Sequence, residues 1–279
     1  MAPSPQLKAL VEQMPSPDAR GMYCTDIDKD KIEKAVAEIQ QGGRENILGL
    51  VDMLVPPGEG DDVKPHYALH CVAVYVCKLE DKRHRREFSA ALAGQLGGSR
   101  PKPVQAYLCQ ELQTAGGKDV TAALGKLLTD EELCEPAAMA LVAINEGAAE
   151  QFRAALPQAK GKCRLTILQD LGVLRDAQSS DALRQAAGDS DEAIRIAAAW
   201  GLANLGDAGS IDVVLKAADT KEGWERIQGA KAAMLLAEKL LAAGKKAEAS
   251  RIYTHLQQMR TDASERYIRE AAAKALAGN

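Results

Sequence analysis

Histidines 66 and 70 stand four residues apart, a spacing that puts two imidazoles on one face of a helix, and Cys71, Cys77 and His84 follow closely. Such side chains can hold a zinc ion. The helix of a zinc protease carries glutamate directly after its first histidine, whereas this chain has Tyr67 there. Helix-surface or inter-repeat histidines, hydrogen-bonded to neighbours, are the expected reading. Asp26, Asp28 and Asp30 alternate as calcium ligands do, but Lys31 stands where the loop needs glycine and Ala37 where a bidentate glutamate belongs. They are expected to start a helix instead, with Asp28 or Asp30 as its cap.

Covalent and phosphate chemistry have less support. Cys24, Cys71, Cys77, Cys109, Cys134 and Cys163 are scattered along the chain and read as small buried thiols rather than a disulfide framework. No Ser/His/Asp or Cys/His set can be composed from the spacing, and no glycine-rich phosphate loop is present. Gly42-Gly43, Gly97-Gly98 and Gly116-Gly117 fall where helices should end. No catalytic residue, metal or cofactor is expected.

Lys82-Arg-His-Arg-Arg86 is the concentrated basic run, yet the 279-residue chain carries a net charge of −4. There is no overall basic field to hold a phosphate backbone, so nucleic-acid binding through residues 82–86 is a remote alternative. No run approaches the roughly 18 consecutive apolar residues of a membrane span; the stretch from Tyr67 to Leu79 is broken by His70 and Lys78. No membrane insertion is expected. The N-terminus shows no export signal, so the expected compartment is the cytoplasm by default, with export possible if the N-terminus has been trimmed.

The elements that must position these side chains are helices. The chain is 46% hydrophobic and only 4% aromatic, which suits closely stacked helices better than sheets. A nine-residue phrase recurs, clearest in Ile194-Arg-Ile-Ala-Ala-Ala-Trp-Gly-Leu202 and matched at six of nine positions by Ile268 to Leu276. Weaker copies run from Val104 to Leu112, Leu133 to Leu141, Cys163 to Leu171 and Ile227 to Leu235. Their closing leucines are spaced by 29, 30, 31, 33 and 41 residues, the size of one helical hairpin in a solenoid. The second half repeats too, since Asp176 to Ala187 aligns with Asp207 to Ala218. Each begins with turn and cap residues and continues at helical spacing. One hairpin cannot cover its own apolar faces and must stack on the next.

Asp191-Glu-Ala-Ile-Arg195 followed by Ala197, Ala198, Leu202 and Gly206 resembles the HEAT repeat, in the short variety also found in phycobilin-lyase-like proteins. The resemblance covers about 104–276 and implies an all-α fold, an α-solenoid of antiparallel helix pairs. It also implies structural, inter-repeat roles for Arg164, Asp191, Arg195 and Arg269. Gln105, Cys134 and Gln228 replace the arginine in three units. Ala237 to Tyr253, with an Ala-Gly turn and an Ala249 to Tyr253 packing pair, is similar to half of a tetratricopeptide repeat. The expected organisation is an N-terminal arm or tail over 1–25, degenerate repeats over 26–99 and HEAT-like repeats over 100–221. A longer hairpin and capping helix fill 222–279, and 26–279 form one continuous solenoid.

The function this suggests is a non-enzymatic scaffold that binds a protein or peptide along the concave surface of the second helices. Asp181, Arg184, Gln185, Asp212 and Lys216 are the expected contacts. A lyase-like enzyme or accessory that grips a cofactor-bearing protein is the alternative. HEAT-like folds also include base glycosylases, but Trp200 and Trp224 lack flanking arginine clusters and are read as core or rim.

Overall fold

The computed structural model describes residues 3–18, 20, 27–221 and 223–278; Cys24 and Asp26 lie outside them. Helices alternate with turns throughout the described residues, and there is no strand ladder. The chain divides into two compact units, Met1–Ala155 and Leu156–Asn279.

The first unit holds α1 (Pro5–Val11), α2 (Lys29–Gln41), α3 (Gly43–Asp52), α4 (Val63–Lys78), α5 (Lys82–Ala93), α6 (Lys102–Ala115), α7 (Thr121–Gly125), α8 (Cys134–Ile144) and α9 (Ala148–Ala155). Asp28 caps α2 by accepting from the Lys31 N–H at 3.1 Å. The even-numbered helices form a row in which α2 packs on α4, α4 on α6 and α6 on α8, while α3 packs on α5 and α7 on α9 behind it. Ser4 caps α1, whose Leu7, Leu10 and Val11 are buried where α1 meets α2, α3 and α4.

The second unit holds α10 (Gly161–Val173), α11 (Ser180–Ala186), α12 (Glu192–Leu205), α13 (Ile211–Ala218), α14 (Trp224–Ala242), α15 (Lys246–Met259) and α16 (Arg266–Ala277). Here α10, α12 and α14 make the first row, and the short α11 and α13 pack behind α12 and α14. The six copies of the nine-residue phrase fall on first helices, α6, α8, α10, α12, α14 and α16, the second copy starting at Leu133, the residue that caps α8. Leu112, Leu141, Leu171 and Leu202 are fully buried, whereas the closing leucines of the last two copies, Leu235 and Leu276, are half-buried.

Local chemistry sets the bounds of α12. Asp191 accepts from the Ala193 N–H at 2.8 Å at its start, and Gly206 takes the left-handed conformation at its end, φ +68°, where a Cβ would add strain. Between α10 and α12 a glycine pair permits close contact. A Cβ on Gly172 would stand 2.7 Å from the Gly201 Cα, so a larger residue would push the helices apart. A longer helical hairpin forms from α14 and α15. They turn at Gly244, φ +75°, with Ala249 and Tyr253 buried.

Candidate functional site

Polar side chains along the first row are mostly engaged in holding successive repeats together. Arg195 donates to both carboxylate oxygens of Glu225 at 2.6 and 2.7 Å, and to the carbonyls of Asp189 and Ser190 in the turn before its own helix at 2.9 Å. Arg226 repeats the device. It donates to Glu265 at 2.7 and 2.8 Å and to the Thr220 carbonyl at 3.1 Å. Arg164 pairs with Asp189, and Arg269 holds the Arg260 carbonyl at 2.8 Å. Asp189 is the partner of Arg164, while the Asp191 carboxylate accepts from the Ala193 N–H and caps α12. Bidentate guanidinium–carboxylate pairs combine charge with fixed geometry. The arginine bonds hold Glu225 and Glu265 below the usual carboxylate range, against the opposing effect of burial.

The substitutions of the phrase arginine have separate explanations. Gln105 is fully buried, and its amide accepts from the Gly97 N–H at 2.8 Å and donates to the Gly98 and Arg100 carbonyls at 3.2 and 2.7 Å. A neutral amide thus anchors the preceding turn as Arg195 does, and Lys102 supplies the ionic tie to Asp130. At Gln228 the ionic work has moved two residues back, to Arg226.

His66 and His70 also serve packing between helices. His70 Nδ1 lies 3.1 Å from a carboxylate oxygen of Glu111, which is buried on α6. His66 meets Asp62 at 3.2 Å and stands edge-on to Tyr107, ring centroids 4.1 Å apart, while the Tyr107 hydroxyl donates to the His66 carbonyl at 2.7 Å. Burial pushes the Glu111 carboxyl up, with the histidines opposing it. Among the described residues no group of three or more His, Cys, Asp or Glu side chains is arranged to hold a metal.

Cys109, Cys134 and Cys163 are buried and Cys71 and Cys77 half-buried, none of them in a disulfide. Burial raises the Cys71 thiol and pushes Cys109 up to about 12, which suppresses thiolate character. Within the basic run Lys82, Arg85 and Arg86 line one pocket together with Lys118. Arg83 is paired with Asp81, and Arg85 donates to the Ala115 carbonyl at 2.9 Å at the end of α6.

The residues expected to contact a partner lie on α11 and α13. Arg184 is tied to Asp181, Asp207 and the Ser210 hydroxyl, and Asp212 is paired with Arg251. Gln185 and Lys216 are exposed. On these helices the guanidinium is largely occupied within the fold.

The first row exposes a more distinctive surface. Val173, Trp200 and Trp224 are 46%, 40% and 62% exposed and line one groove of about 820 Å³ across α10, α12 and α14. Ile196, Ala197, Gln169 and Gln228 complete its floor and walls, and Asp170, Asp191 and Glu192 are its charged members. Trp200 and Trp224, read from sequence as core or rim, are thus rim residues of a shared groove. The sequence did hold a signal for Trp200. It occupies the seventh position of the phrase, where the preceding copies have Gln110, Met139 and Gln169, all exposed. In the first unit Tyr107, Gln110, Pro136 and Met139 line a smaller groove between α6 and α8, from the same phrase positions.

Comparison with known proteins places part of the chain. The family model for HEAT repeats matches residues 149–235. No curated protein matches. Two crystal structures of engineered proteins from the Northeast Structural Genomics Consortium are similar. One is 20% identical, with 97% of this chain and 77% of that one covered and a TM-score of 0.47. The other is 21% identical, with 98% and 96% covered and a TM-score of 0.29. Among the described residues no helix is long and apolar enough to cross a membrane.

Proposed function

We propose that this HEAT-like helical-repeat protein is a non-enzymatic scaffold that holds a protein or peptide partner in the groove across α10, α12 and α14. The observation that carries the reading is the gathering of Val173, Trp200 and Trp224 in one groove. Large exposed aromatic residues grouped together are costly to leave in water and are enriched in the centres of interfaces. The rest of the first row supports a scaffold as well, because its charged side chains join repeats rather than converge on a cleft. The thiols of Cys71 and Cys109, raised by burial, favour the scaffold over a lyase-like alternative that would use either as its reactive side chain.

Photo-cross-linking distinguishes this face from the second helices. A photoreactive side chain at Val173, compared with one at Gln185 or Lys216, is expected to give a discrete adduct with one polypeptide, competed by excess unlabelled protein. Adducts at 185 and 216 but not at 173 would move the contact to Asp181, Arg184, Gln185, Asp212 and Lys216. Absence of a specific adduct at all three positions would remove the scaffold reading.

A further inference from the structure

The groove's lining is chemically one-sided. Its charged members are three carboxylates, Asp170, Asp191 and Glu192, and no lysine or arginine contributes to it. Asp191 and Glu192 are exposed at the start of α12, beside the apolar surface of Ile196, Ala197 and Trp200 on the same helix. By contrast, the groove from the equivalent phrase positions between α6 and α8 is lined by proline, alanine, tyrosine, glutamine and methionine, without a charged residue. The carboxylates are therefore not a requirement of the repeat.

A second observation concerns the tryptophans. The Lys231 ammonium stands 5.7 Å from the centroid of the Trp224 ring, so an indole at the edge of the groove already takes a cation over its face. Aromatic faces attract guanidinium and ammonium groups, and the attraction grows as water is excluded. Carboxylates next to such faces add charge complementarity, which selects partners and speeds their encounter.

We infer that the groove takes a cationic segment of a partner protein, in which arginine or lysine alternates with apolar side chains. The apolar side chains cover Val173, Ile196 and the indole of Trp200, while the cations meet Glu192 and Asp191. Arginine suits the site better than lysine, because its planar group stacks on indole while its N–H groups reach a carboxylate. This inference rests on the scaffold reading and specifies its partner.

The chain has two tryptophans, and both line the groove, so its intrinsic tryptophan emission reports that surface alone. The test titrates the full chain with a short Trp-free peptide alternating arginine and leucine, and with the same peptide carrying neutral citrulline for arginine. The expected result is a saturable change in emission, with the arginine peptide binding at least about tenfold more tightly and the advantage shrinking as salt is raised. Asp191→Asn combined with Glu192→Gln should abolish that advantage, and asparagine still caps α12. Circular dichroism checks that the variant is folded, and Glu192→Gln alone should give part of the loss.

Equal binding of the citrulline peptide overturns the cationic partner, as does an arginine preference unchanged in the double variant. An emission unmoved by either peptide overturns it too. In each case a specific adduct at position 173 would keep the scaffold reading, and its absence would remove that reading independently.

Discussion

Residues 1–155 and 156–279 each build a row of first helices, tied together by a different mix of chemistry. In the second unit guanidinium–carboxylate pairs recur at Arg164–Asp189, Arg195–Glu225 and Arg226–Glu265. The first unit has such a pair at Arg100–Asp52 but relies as well on a buried amide at Gln105, an ammonium pair at Lys102–Asp130 and a histidine–carboxylate contact at His70–Glu111. Apart from His70–Glu111, which joins the middle of α4 to the later part of α6, what persists is the place of the tie, near the start of a first helix, where one repeat's turn must be held against its neighbour. The chemistry is exchangeable as long as the buried polar groups find partners. The outward face differs in the same way: neutral between α6 and α8, acidic and indole-bearing across α10, α12 and α14.

The largest effect expected from breaking this comparison lies in what the units share. Leu112 and Leu202 close equivalent phrases and are fully buried, so Leu112→Ala and Leu202→Ala should each cost about 2 to 5 kcal/mol, read by urea denaturation. A loss below about 0.5 kcal/mol for either would show that the two copies are not equivalent in the core.

A smaller effect should separate the ties. The Arg226 and Glu265 side chains are 17% and 11% exposed, whereas Lys102 and Asp130 are 38% and 30% exposed. Arg226→Ala is expected to cost about 1 to 3 kcal/mol, between the ranges for exposed and buried pairs. Lys102→Ala should cost less than about 1 kcal/mol. Equal losses in denaturation would erase the distinction drawn between guanidinium and ammonium ties.

The smallest effect is a difference of sign with pH. Glu225 and Glu265 have lowered values in the fold, so the stability they confer is present above the ordinary 4.5 of a glutamate and is lost as pH falls below it. Glu111 is raised by burial. The fold therefore favours its protonated form, and its contribution weakens as pH rises from 4.5 through the raised value. Hydrogen exchange, corrected for the intrinsic rate, should show protection around 195–240 falling on acidification before protection around 104–112. Simultaneous loss, or the reverse order, would mean that these carboxylates do not govern the local stability of their units.

Much of this arrangement was legible beforehand because its causes are local. Apolar spacing along one helix placed all six phrases, and the side chains of Asp28 and the left-handed turn at Gly206 marked ends that depend on a few neighbouring residues. Which of Asp189 and Asp191 pairs with Arg164 was not legible. Two carboxylates two residues apart are alike in sequence, and only the path of the turn decides which faces the next helix and which faces its own N–H groups. Trp200 was half-legible: its register in the phrase marked an outward position, but an Ala-rich helix with an indole can equally bury it against a neighbour.

The sequence by itself determined that the protein is a succession of helical hairpins, that helix ends lie at Asp28 and Gly206, and that Leu112, Leu141, Leu171 and Leu202 turn inward, since periodicity and capping act over a few residues. Tertiary structure alone decided which first-helix face stays uncovered and that Trp200 and Trp224, 24 residues apart, share a groove with Asp170 and Glu192. That outcome depends on how closely α10 and α12 approach over Gly172 and Gly201 and on where α14 then lies beside them, distances that no periodicity within one helix specifies.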